Sequence, residues 1–75
     1  MGKRTEYEGY TIESAPQHDP QGQKWRLRIY ISIQHPRGIQ SRELTAEGLY
    51  ASEDEADFYG IAFGQRVIDG RVDGL

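Results

Sequence analysis

The chain has 75 residues, a mass of 8.6 kDa and a net charge of −3, so we expect a single domain over residues 1–75. It contains no cysteine, which excludes disulfides, thiolate catalysis and cysteine-ligated zinc or iron–sulfur sites. No apolar stretch has the length of a transmembrane helix, and none follows Lys3 and Arg4 as in a secretory signal, so we expect a cytoplasmic protein that does not contact membranes.

The first predicted element is a short strand at about residues 7–13. Tyr10 and Ile12 are its expected buried side chains, and Gly9 is a weak point within it. Residues 14–23 contain two prolines and a glycine and show no periodicity, so we expect a long loop there.

The clearest pattern is the alternation over residues 24–34, which predicts a strand with one buried and one solvent-exposed face. The expected buried residues are Trp25, Leu27, Ile29, Ile31 and Ile33. Pro36 and Gly38 then mark a hairpin turn. The returning strand is expected at about residues 39–50, with a bulge at Gly48 because this glycine interrupts the alternation.

The last third of the chain predicts a helix over about residues 53–69. Ser52 and Glu55 have the spacing of a capping box, the acidic residues 53–57 suit the positive end of the helix dipole, and Gly70 follows the last turn. Gly60 and Gly64 fall within the apolar arc of the helical wheel. We therefore expect a flat strip on this helix that allows close approach to a sheet.

These elements predict an α+β fold of two layers, in which a three-stranded antiparallel sheet is packed by one C-terminal helix in the order βββα. A single helix covers only one face of a sheet. The other face and the edge strands are therefore the surfaces on which we expect a partner or a second copy.

The order of these features resembles a known family. The features are Tyr-x-Gly-Tyr-x-Ile at residues 7–12, Trp25 at the start of the alternating strand, Ala-Ser-Glu-Asp-Glu-Ala at residues 51–56 and Gly-x-x-x-Ile-Asp-Gly at residues 64–70. In this order the chain resembles a family of short bacterial hypothetical proteins, a domain of unknown function frequent in proteobacteria. The resemblance implies a β-sheet followed by a C-terminal helix, and it transfers no catalytic residue.

Basic residues are concentrated in the middle of the chain. Residues 24–42 carry five basic residues and no acidic one, whereas residues 43–75 carry two basic and eight acidic residues. The solvent-exposed face of the alternating strand is expected to present a possible binding face made of Lys24, Arg26, Arg28 and Tyr30. A basic sheet face with an aromatic side chain is typical of proteins that bind single-stranded nucleic acid.

The alternative is that this face is a solvated surface. Its cations would then pair with Glu13 and with Glu43 or Glu47 on the neighbouring strands. The net charge of −3 favours this interpretation, because it repels a polyanion at long range.

Catalysis and metal binding find little support in the sequence. His18, Asp19 and His35 barely reach the three or four convergent ligands of a metal site, so we expect surface histidines and no bound metal or cofactor. No nucleophile or oxyanion-binding pattern accompanies the acidic residues, so we do not expect an enzyme.

The remaining feature is Phe58, which lies on the outer side of the predicted helix and has no core to bury it. Such a residue can mark a docking site or a dimer contact, although a single exposed aromatic side chain is also common on protein surfaces. The leading hypothesis is therefore a small non-enzymatic protein-interaction domain that binds a protein partner or a second copy. The alternative is a weak nucleic-acid-binding module that uses the basic strand face.

Overall fold

A computed structural model of the chain describes residues 3–70; the ends of the predicted domain, residues 1–2 and 71–75, lie outside the described residues. Within residues 3–70, five strands precede one helix. They are β1 (Arg4–Tyr7), β2 (Tyr10–Ser14), β3 (Gln17–Asp19), β4 (Lys24–His35), β5 (Gly38–Tyr50) and α1 (Glu53–Ile68). The predicted α+β class, the antiparallel sheet and the C-terminal helix are confirmed. The predicted count of three strands is wrong.

The strand predicted at residues 7–13 is part of a hairpin. Glu8 and Gly9 have φ angles of 52° and 84°, and two successive positive φ angles are those of a type I′ turn. This turn joins β1 to β2, with Tyr7 directly opposite Tyr10. Gly9 is therefore the turn residue of the hairpin and not a weak point inside a strand.

The predicted loop at residues 14–23 contains the short strand β3. The Ala15 N–H still donates to the Arg28 carbonyl at 2.9 Å, but Pro16 has no N–H to donate, so the pairing is interrupted there and resumes at β3. Because β5 pairs along the other edge of β4, β2 and β3 must share one edge. The sheet order is therefore β1, then β2 with β3, then β4, then β5.

The β4–β5 hairpin agrees closely with its prediction. It turns at residues 36–37, and Gly38 follows with a φ angle of 135°. The register shifts between Arg26 and Arg28 of β4, opposite the stretch of β5 that contains Gly48, whose φ angle is 120°. The predicted bulge is confirmed, and glycine suits it because a side chain at this φ angle would be strained.

The core lies between the sheet and α1. Its buried apolar side chains are Ile12, Leu27, Ile29, Ile31, Ala56 and Val67. Trp25 and Ile33 were expected among them, but both are only half-buried. The reason is length, since twelve residues of β4 extend over about 40 Å and sixteen residues of α1 over about 24 Å, which leaves the strand ends partly uncovered.

The predicted capping residues of α1 have their expected roles. The Ser52 hydroxyl accepts from the Glu55 N–H at 3.1 Å, while the Glu55 carboxylate reaches back to the Ala51 N–H at 3.3 Å. Gly70 has a φ angle of 81° and donates to the Val67 carbonyl at 3.0 Å. These bonds satisfy backbone groups that a helix leaves unpaired at its ends.

Two glycines allow α1 to rest directly on the sheet. A Cβ atom built on Gly64 would lie 2.8 Å from Cγ2 of Ile12, and one built on Gly60 would lie 3.0 Å from Cγ2 of Ile29. Side chains at either position would therefore push the helix away from the two most buried isoleucines. The predicted close approach of helix and sheet is confirmed.

The variant Gly64→Ala tests this close packing. The higher helix propensity of alanine would by itself stabilise the variant by about 1 kcal/mol. Overpacking against Ile12 costs about 1–3 kcal/mol, so we expect a net loss of up to about 2 kcal/mol in the free energy of unfolding by urea. Ala62→Gly, at a half-buried position of the same helix, calibrates the propensity effect. A Gly64→Ala variant more stable than the wild type would contradict the packing described here.

Candidate functional site

The structure places the predicted binding face on the side of the sheet that faces away from α1, which we call the outer face. Lys24 and Arg26 are exposed there, whereas Arg28 and Tyr30 are half-buried. Arg28 is engaged within the domain: its Nε donates to the Ala15 carbonyl at 2.9 Å, and its guanidinium carbon lies 5.8 Å from the centre of the Tyr30 ring. The outer face is therefore less open to a ligand than its sequence indicates.

Acidic side chains lie among these cations. The Tyr30 hydroxyl donates to Oε2 of Glu43 at 2.9 Å, and this hydrogen bond raises the pKa of Tyr30 above its usual value of 10.0. Glu13 lies opposite Tyr30 on the other neighbouring strand, and Asp19 lies opposite Lys24. The outer face thus carries charges of both signs, which weakens its attraction for phosphate groups.

The two histidines are not brought together. His18 of β3 lies opposite Trp25, with the ring centres 4.9 Å apart, whereas His35 at the far end of β4 bonds to Gln40 at 3.0 Å. Ten residues of extended strand separate the two positions by about 34 Å. Over residues 3–70, no group of three or more histidine, cysteine or acidic residues is placed to hold a metal ion.

Phe58 is exposed, as its position on the helix predicts, with 67% of its surface accessible. It meets the neighbouring Tyr59 edge to face, with the ring centres 5.2 Å apart, and Tyr59 stacks on Tyr50 of β5 at 5.1 Å. We call these three residues the aromatic patch. The exposure of Phe58 was predicted from the sequence, but the stacking of Tyr59 on Tyr50 was not, because this contact depends on how α1 crosses the end of β5.

The acidic side chain of Asp57, which the sequence groups with the acidic residues at the start of the helix, is fully buried. Its Oδ1 accepts a hydrogen bond of 2.7 Å from the Ser14 hydroxyl, and its Oδ2 has no partner within the described part of the chain. On the helical wheel, Asp57 lies 100° from Ala56, inside the arc that also holds Gly60 and Gly64. The position of Asp57 on the helical wheel therefore indicated burial, but the residue was grouped with its acidic neighbours in the first turn.

A groove of about 450 Å³ runs between β1 and α1, and we call it the β1–α1 groove. Residues 3–5 form its strand side. Its helix side is formed by Asp57, Phe58, Ile61, Ala62 and Gln65. The groove thus combines the most exposed aromatic side chain of the patch with the buried carboxylate and with two apolar neighbours.

The edge strands β1 and β5 leave backbone groups unpaired within the described part of the chain. The Ser14 N–H donates to the Lys3 carbonyl at 2.7 Å, so by alternation Thr5 and Tyr7 also point their backbone groups at β2. The backbone groups of Arg4 and Glu6 therefore point to the free edge of β1. In β4, the backbone carbonyl of Arg28 points to Ala15 and therefore away from β5. By alternation from this position, the backbone groups of Ile39, Ser41 and Glu43 point to the free edge of β5.

A second groove, of about 370 Å³, lies near the tip of the β4–β5 hairpin. Ile31 and Ile33 are its apolar members, and the rest of its lining is polar or aromatic, including the bonded pair of His35 and Gln40. It contains no exposed aromatic side chain comparable to Phe58.

No family model, no curated protein and no solved structure matches the chain. The resemblance to a family of short bacterial proteins therefore stays a prediction. No helix within residues 3–70 has the length and apolar character of a membrane span.

The variants Arg28→Ala and Arg26→Ala test the description of the outer face. Arg28→Ala removes a partly buried charged hydrogen bond to Ala15, so we expect the free energy of unfolding to fall by about 1–2 kcal/mol. Arg26 is exposed, and its loss should change this free energy by less than about 0.5 kcal/mol. Equal effects of the two substitutions in urea unfolding would contradict the structural role assigned to Arg28.

Proposed function

We propose that this domain is a non-enzymatic protein-interaction module whose contact surface is the aromatic patch together with the β1–α1 groove. The observation that carries the proposal is the exposure of Phe58, which lies beside Tyr59 and lines the β1–α1 groove. Aromatic side chains, phenylalanine included, are enriched in the buried cores of protein interfaces. A cytoplasmic location and a bacterial origin belong to the same proposal.

The rival surfaces support this role less well. The free edge of β5 is longer than that of β1, but a bulge and the adjacent charges of Arg42 and Glu43 protect it in the way natural edge strands are protected. The outer face carries mixed charges, and its central residues Arg28 and Tyr30 are already bonded within the domain. Weak nucleic-acid binding by that face remains the alternative function.

Selection from a displayed library of random peptides tests the proposal. The wild-type domain should enrich a family of related peptides, and Phe58→Ala should weaken their binding by at least about 2 kcal/mol because an interface anchor is lost. Ile39→Ala is the matched control, since Ile39 is 70% exposed but lies on the outer face at the other end of β5. Binding is measured by titration calorimetry.

Three outcomes would contradict the proposal. Equal binding by the wild type and Phe58→Ala would remove the aromatic patch from the interface. Loss of binding in Ile39→Ala alone would transfer the interface to β5. Failure to enrich any peptide, together with oligonucleotide binding that falls steeply with salt, would favour the nucleic-acid alternative. Sedimentation equilibrium tests whether the partner is a second copy, because the average mass would then rise with concentration from the monomer towards the dimer.

A further inference from the structure

The buried carboxylate of Asp57 lacks a partner for one of its oxygens. Ser14 satisfies Oδ1, whereas Oδ2 accepts no hydrogen bond from any group of residues 3–70. A buried acceptor without a donor costs folding free energy, and a buried charge without a counter-charge costs more. Asp57 also lines the β1–α1 groove, so a ligand in that groove can supply the missing donor.

We propose that the β1–α1 groove binds an extended segment of a partner protein and that a basic side chain of this segment, arginine in preference to lysine, donates to Oδ2 of Asp57. This inference rests on the proposed function, since it names the chemistry of the protein partner. Charge complementarity carries it: the groove contains a buried acidic group with a free acceptor.

The walls of the groove suit an arginine side chain. Its aliphatic stem can pack on Ile61 and Ala62, while its planar guanidinium group stacks on the Phe58 ring and donates to the carboxylate. Oδ2 is shielded from solvent in the free domain, so side chains that line the groove must move before a ligand can reach this oxygen.

The free edge of β1 explains why the segment is extended. The backbone groups of Arg4 and Glu6 point away from β2 and are available to a strand added at this edge. Recognition by strand addition combines such backbone bonds with a pocket for an individual side chain. The β1–α1 groove is that pocket, since residues 3–5 form one of its sides.

Two basic residues on the strand side of the groove, Lys3 and Arg4, would repel a basic ligand unless their charges are offset. Arg4 lies directly opposite Glu13, which offsets its charge. Lys3 is exposed and opposes a second cation in the groove. It provides an internal control of opposite sign, because Lys3→Gln should strengthen the binding of a basic peptide by roughly 2- to 5-fold, whereas Asp57→Asn should weaken it.

The test uses the peptides selected by the wild-type domain. We expect a shared arginine or lysine, and replacing it by norleucine should weaken binding roughly 10- to 100-fold. Asp57→Asn should have a similar effect, since its amide retains an oxygen for Ser14 but cannot pair with a cation. Asp54→Asn, an exposed acid of the same helix, should change binding less than about 2-fold. Melting of each variant, followed by circular dichroism, verifies folding.

The outcomes separate this inference from the proposed function. Peptides that need Phe58 but contain no basic residue, or that tolerate norleucine, would overturn the role of Asp57 and leave the interaction module intact. The norleucine peptide keeps the test decisive even if Asp57→Asn fails to fold, because it leaves the domain unchanged. If free arginine amide binds as tightly as the peptide, the claim that the ligand is an extended segment is overturned. Loss of stability in Lys3→Gln would indicate that Lys3 itself pairs with Asp57.

Discussion

The close approach of α1 to the sheet at Gly60 and Gly64 is the constraint on which the rest of the structure depends. With no side chains at these positions, the helix backbone rests on Ile12 and Ile29, and a domain of this size encloses a small, tightly packed core. The caps at Ser52 and Gly70 determine where the helix begins and ends relative to that contact. A helix without this glycine strip would stand further from the sheet and leave the isoleucines partly exposed.

The same constraint determines the rotation of the helix and hence its outer surface. When the glycines face the sheet, Asp57 must also turn inward, where it meets Ser14, while Phe58 and Tyr59 must turn outward. The buried carboxylate and the exposed aromatic patch are therefore two consequences of one packing arrangement. Their proximity at the β1–α1 groove gives the domain a surface with apolar area, a free strand edge and one unsatisfied acceptor.

Much of the fold follows from periodicity and caps, because these depend on local sequence. The β4–β5 hairpin, its bulge at Gly48 and the glycine strip of α1 were predicted for that reason. The β1–β2 hairpin was missed because Glu8 adopts a positive φ angle that is uncommon for a residue with a side chain. Of the site, Phe58 was found from the wheel, whereas the free edge of β1 and the groove beside it depend on strand pairing, which the sequence does not display.

The most direct test of the account is amide hydrogen exchange of the domain with and without its selected peptide. An edge amide is unprotected until a strand is added beside it. We expect new protection at Arg4 and Glu6 of β1, with little change along β5. New protection at Ile39, Ser41 and Glu43, with β1 unchanged, would contradict it and place the partner on the opposite edge of the sheet.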